Sequence, residues 1–129
     1  MSRTILMIDD DPLLHLIIKK MMNKIDSTLT FISCKDGKVG LEKLLAHQGD
    51  LSECIILLDL NMPVLDGWRF LYEIQSSQLD DYQNITLFIL SSSTDKIDIE
   101  RARQYSIVKK FYHKPLSSVD ITEILNFNN

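Results

Sequence analysis

Two hydrophobic periods alternate along the chain. Short runs rich in β-branched and aliphatic residues read as strands: Thr4–Ile8, Leu29–Cys34, Ile55–Leu58, Ile85–Leu90 and Val108–Tyr112. Between them apolar residues recur at helical spacing. Leu14, Ile17, Ile18, Met21 and Ile25 mark a first helix, opened by Asp11 as N-cap and Pro12 in its first turn. Val39, Leu41, Leu44 and Leu45 mark a second, ending near His47. A third begins near Asp66 with Phe70, Leu71 and Ile74 on one side, after which Ser76 to Asn84 forms a long polar connection. Asp95 opens a fourth, carried by Ile99, Ala102 and Arg103 to about Tyr105. Ser117 and Asp120 form a capping-box pattern for a fifth, with Leu116 stapled against Ile121. Five strands alternating with five helices predict an α/β domain with a parallel sheet and helices on both faces.

The run Ile55–Leu58 is wholly apolar, as a strand buried on both faces requires, and it stops at Asp59. An acid there loses solvation unless it has a task. In a parallel sheet the carboxyl ends share one edge, where ligands bind. The first strand ends in Asp9 and Asp10, the third in Asp59, the fourth in Ser91 and Ser92, and the fifth near Lys114. Several carboxylates at one edge repel unless a cation joins them. The expected cation is Mg²⁺, with Mn²⁺ as the alternative, ligated by Asp10 and Asp59 and helped by Asp9. Asp59 is then the candidate nucleophile for an aspartyl-phosphate, with Lys114 and Ser91 holding phosphoryl oxygens.

The segments ILMIDDDP (5–12), LLDLNMPVLDGW (57–68), FILSSS (88–93) and FYHKP (111–115) carry a family resemblance. The chain resembles the receiver domain of two-component response regulators over essentially its whole length. The resemblance implies a flavodoxin-like (βα)5 doubly wound fold with strand order 2-1-3-4-5. It implies Asp59 as phosphoacceptor, Asp9 and Asp10 as the acidic pair, and the backbone carbonyl of Asn61 as a further Mg²⁺ ligand. It also implies Ser91 and Phe111 as the switch pair, Lys114 as the phosphate-sensing lysine and a cis bond before Pro115. The phosphoryl donor would be a sensor histidine kinase or a histidine phosphotransfer protein. A downstream protein partner would bind the face of helix four, strand five and helix five, and a phosphorylation-dependent homodimer is a further expectation. One departure stands out: Gln104 to Lys110 (QYSIVKK) lacks the small-residue pair common before the last strand in the family.

Composition narrows the rest. The 129 residues, 45% hydrophobic and 25% charged, fit one domain, expected to span 1–129, with a core that needs no staple. The net charge of −4 comes without a basic block, so no direct nucleic-acid contact is expected. No run is long enough to span a membrane and Met1 to Arg3 leads straight into a strand. The expected location is the cytoplasm, in a stand-alone receiver, since the fifth helix is followed closely by Asn129. Cys34 and Cys54 read as buried, reduced packing residues. His15 and His47 read as surface or partly buried helix residues, and His113 as a neighbour of Lys114. Ser92 and Ser93 read as loop and cap residues, and Asp66 as a helix cap.

A phosphatase passing through an aspartyl-phosphate is a competing reading. It wants a second acid two residues after the nucleophile, where Asn61 cannot act as a general acid. The chain is therefore expected to be no enzyme beyond catalysing its own phosphorylation and slow dephosphorylation. A constitutive binding module is a third reading, against which the acids, hydroxyl and lysine speak.

Overall fold

The computed structural model describes residues 3–46, 53–62, 64–77, 85–92 and 95–127. Ten elements alternate: β1 (Thr4–Ile8), α1 (Pro12–Ile25), β2 (Thr30–Cys34), α2 (Gly37–Ala46), β3 (Cys54–Asp59), α3 (Gly67–Ser76), β4 (Ile85–Ser91), α4 (Lys96–Ala102), β5 (Val108–His113) and α5 (Ser118–Leu125). The strands form one parallel sheet in the order β2-β1-β3-β4-β5. This is the flavodoxin-like arrangement that the family resemblance implies, with its switch point between β1 and β3.

Strand alternation divides the core into two halves. Leu6, Ile8, Ile56, Leu58, Leu87 and Ile89 face Leu44 of α2, Phe70, Leu71 and Ile74 of α3, and Ala102 of α4. Ile5, Met7, Ile55, Leu57, Phe88 and Leu90 face Ile18 and Met22 of α1 and Ile121, Ile124 and Leu125 of α5. β3 and β4 are buried at every position, because both faces carry helices and both edges carry strands.

The helix starts follow their caps. Asp11 accepts from the N–H groups of Leu13 and Leu14, Asp66 from Arg69 and Asp95 from Ile97. Ser117 and Asp120 form both halves of a capping box, and Leu116 packs against the cluster that holds Ile121.

Several expectations need correction. The fourth helix ends at Ala102, not near Tyr105. The chain tightens there through Gln104 N–H to Arg101 O and Tyr105 N–H to Ala102 O, which places Tyr105 beside Trp68 with ring centroids 6.4 Å apart. His15, expected at the surface or partly buried, is buried. A specific bond inward, described below, accounts for this burial. The third, fourth and fifth strands are each longer than expected by a residue or two, reaching Asp59, Ser91 and His113, and the second starts at Thr30 rather than Leu29. His47, Ser93, Gln48 to Ser52 and most of the connection after Ser76 lie outside the described residues.

β5 joins β4 with a register shift: Leu87 pairs with Val108 but Phe88 with Lys110. Lys109 is the extra residue of this bulge. The shift puts Val108 and Phe111, three residues apart, against the same half of the core, and turns Tyr112 to the other.

Candidate functional site at the carboxyl edge of the sheet

Asp9 follows the last residue of β1 and Asp59 ends β3, on adjacent strands. Lys114 follows β5, and its backbone N–H donates to the carbonyl of Ser91 at 2.9 Å. That bond ties the end of β5 to the end of β4 and sends the lysine side chain back across the edge. The Lys114 ammonium donates to Asp9 Oδ2 at 2.7 Å and lies 3.5 Å from Asp59 Oδ1. The Lys114–Pro115 peptide bond is cis.

Carboxylate oxygens of Asp9, Asp10 and Asp59 lie within 4.8 Å of one another. Asp9 and Asp59 are buried and Asp10 is exposed. The backbone around them is tightly held. Asp9 Oδ1 accepts from Asp11 N–H at 2.9 Å, and Asp59 Oδ1 accepts from Asn61 N–H at 3.3 Å. Gly67 N–H donates to Leu60 O, and a Cβ on Gly67 would stand 2.5 Å from the Asp59 carbonyl oxygen and 2.7 Å from Leu60 Cα. Only glycine lets α3 start this close to the end of β3.

Burial raises the Asp59 carboxyl above its ordinary range, and the nearby Asp9 charge adds to this; Lys114 works in the opposite direction. For Lys114 burial acts to lower the value, but the bond to Asp9 and the charges of Asp9 and Asp59 outweigh it, so its ammonium is held above the ordinary lysine value. One ammonium among three carboxylates leaves excess negative charge. An all-oxygen donor set with one exposed member fits a hard divalent cation that keeps some of its waters.

Ser91 is fully buried at the end of β4. Phe111 pairs across with Ile89 and is partly buried against the same half of the core. It lines a cavity of about 320 Å³ with Ile99, Ala102, Arg103, Val108 and Lys110, between α4 and β5. Asn61 is exposed beside Asp59, and His113 is exposed on β5. The described structure thus gathers Asp9, Asp10, Asp59 and Lys114 into one cluster and sets Ser91 at its side, with Phe111 farther down β5.

Residues 5–126 match the family described as the response regulator receiver domain. The chain belongs to that family. Phosphoryl acceptance is general to such receivers. Among its relatives is a protein-glutamate methylesterase/protein-glutamine glutaminase of Desulfitobacterium hafniense, 32% identical over 91 residues; the match covers 70% of this chain and 21% of that protein. A probable methanogenesis regulatory protein, FilR2, of Methanothrix harundinacea is 29% identical over 119 residues, covering 91% of this chain and 75% of the relative. Among solved structures, a two-component response regulator from Cytophaga hutchinsonii superposes with a TM-score of 0.85 at 23% identity, covering 98% of this receiver and 96% of that chain. This last likeness is one of fold. Among the described residues, no helix of the receiver is long and apolar enough to cross a membrane.

Two contributors to the site escaped the sequence reading. His15 reaches the Asp9 carbonyl from α1, and Gly67 permits the approach of α3 to Asp59. Gly67 was legible in the Asp-Gly pair as a helix start but not as a contact. A histidine one turn into an amphipathic helix carries no such signal. The two cysteines are buried free thiols, and burial pushes Cys34 up to about 11 and Cys54 to about 12, out of reach of thiolate chemistry at neutral pH.

Proposed function

We propose that this receiver accepts a phosphoryl group on Asp59 from a sensor histidine kinase or a histidine phosphotransfer protein. A carboxylate oxygen of Asp59 attacks phosphorus, the phosphorus–nitrogen bond of the donor histidine breaks, and an acyl phosphate forms. The observation that carries this reading is the Lys114 ammonium set between Asp9 and Asp59 at the edge of the sheet. It stands where a phosphoryl oxygen on Asp59 would need a positive partner. Asp9, Asp10, Asp59 and the backbone carbonyl of Asn61 would hold Mg²⁺, or Mn²⁺ in its place. A bound divalent ion supplies charge compensation between the carboxylate and the incoming phosphoryl oxygens.

The output is a switch through Ser91 and Phe111. Both residues belong to the same side of the sheet by strand alternation, with one residue pair, Leu90 and Tyr112, between them. The Ser91 hydroxyl moves toward the phosphoryl group, the Phe111 ring turns inward, and the face of α4, β5 and α5 changes its affinity for a downstream protein or a second copy of the receiver. The cavity beside Phe111 gives that ring room to move. The receiver turns over no external substrate, since Asn61 offers no general acid. It acts as one domain over 1–129 in the cytoplasm.

The test is labelling with a small-molecule phosphodonor, read by intact mass. The proposal expects one added phosphoryl group with Mg²⁺, none with chelator and none in Asp59→Asn. Equal labelling of Asp59→Asn refutes it.

A further inference from the structure

His15 lies in the first turn and a half of α1 and is 8% exposed. Its Nε2 is 2.7 Å from the backbone carbonyl oxygen of Asp9. A carbonyl only accepts, so Nε2 carries the hydrogen and the tautomer is set by that partner. Nδ1 is buried and has no hydrogen-bond partner among the described residues. An unpaired buried nitrogen works against the fold. Packing alone would favour leucine here, so the bond to Asp9 is what accounts for an imidazole at this position.

That carbonyl belongs to the Asp9–Asp10 peptide unit. Asp9 N–H donates to Cys34 O at 3.0 Å, which is the last tie of β1 to β2. Asp9 Oδ1 is held by Asp11 N–H. The carbonyl has left the sheet, and His15 is the group that takes it up. The tilt of this peptide plane sets the direction in which Asp10 leaves the strand. Asp10 is the exposed member of the acid cluster, with the least packing to orient it. Asp9, Asp10 and His15 also share the wall of one cavity of about 420 Å³ with Ser33 and Lys35, so the ring and the acid pair bound the same space.

We infer that His15 is a positioning residue: by donating to the Asp9 carbonyl it fixes the Asp9–Asp10 peptide and so the aim of the acid pair toward a divalent cation. This rests on the reading of Asp9 and Asp10 as cation ligands. Groups that orient ligands in this way govern affinity without touching the ion.

The experiment is calorimetric titration with Mg²⁺ alone of the wild-type chain, His15→Leu and His15→Gln, with thermal unfolding of each in the absence of the ion. The Gln side-chain nitrogen falls near the place of Nε2 and can donate to the same carbonyl; Leu cannot. The expected result is Mg²⁺ binding weakened about tenfold in His15→Leu, with His15→Gln within about threefold of wild type. Thermal stability of His15→Leu should change little, because Leu orphans the Asp9 carbonyl but also removes the unpaired Nδ1. A loss of affinity without a matching loss of stability is a split that a merely structural role would not produce. Should His15→Leu not fold, His15→Met serves as the apolar variant. Equal affinity in all three proteins, or equal weakening in Leu and Gln, overturns the inference while leaving the cation site intact. Failure of the wild-type chain to bind Mg²⁺ at millimolar concentration instead removes the ligand reading beneath it, and the inference with it.

Discussion

The Lys114 ammonium donates to Asp9 Oδ2 at 2.7 Å across 105 positions of sequence, and the same nitrogen stands 3.5 Å from Asp59 Oδ1. Two buried acids from neighbouring strands thus share one cation. Replacing Lys114 by Met keeps the stem and removes the charge. The expected result is a loss of about 1–3 kcal/mol at pH 7, since Asp9 and Asp59 are left facing each other. Urea unfolding at pH 7 and again near pH 3 checks this. The loss should shrink at the lower pH, where the Asp59 carboxyl, raised by burial, has taken up its proton and no longer repels Asp9.

Asp59 contributes the opposite pH dependence. Its native carboxyl titrates above the ordinary value because of burial and then Asp9. The native state therefore binds this proton more tightly than the unfolded chain does. Stability from this group is highest below the unfolded value and falls as pH rises through the raised native one. Asp59→Asn removes the penalty, and should stabilise the metal-free protein by about 0.5–2 kcal/mol at pH 7. The gain should fade as pH drops into the ordinary carboxylate range. Denaturant curves of both proteins across that range measure it.

Val64 has φ of 69° and a side chain 80% exposed, in the turn between β3 and α3. A β-branched residue in the left-handed region is strained and gains nothing from burial here. Val64→Asn should raise stability by about 1 kcal/mol, and the melting temperature by roughly 2–5 °C, as read by calorimetry.

Most of the fold was legible because alternating periods of two and 3.6 leave few arrangements for a chain of this size. Asp9, Asp10, Asp59, Ser91 and Lys114 came together on paper for the same reason: each ends a strand. What escaped depends on contacts between elements. His15 sits on the buried side of α1, yet nothing in its spacing says that Asp9 offers it a carbonyl. The exit of α4 is not legible because helical spacing continues past Ala102. There Tyr105 turns back to Trp68, over whose ring the Arg101 guanidinium carbon lies at 4.1 Å. The bulge at Lys109, which decides the side that Phe111 faces, is likewise a matter of pairing between strands.

The central claim is that one acid among three neighbours, Asp59, carries the phosphoryl group. Borohydride reduces an acyl phosphate to the alcohol, converting the modified aspartate to homoserine. The chain is treated with a small phosphodonor and Mg²⁺, reduced, digested and sequenced by mass spectrometry. Homoserine at position 59, absent when donor or Mg²⁺ is omitted, is the predicted result. Homoserine at position 9 or 10, or none at 59 in a chain that has gained phosphoryl mass, contradicts the account.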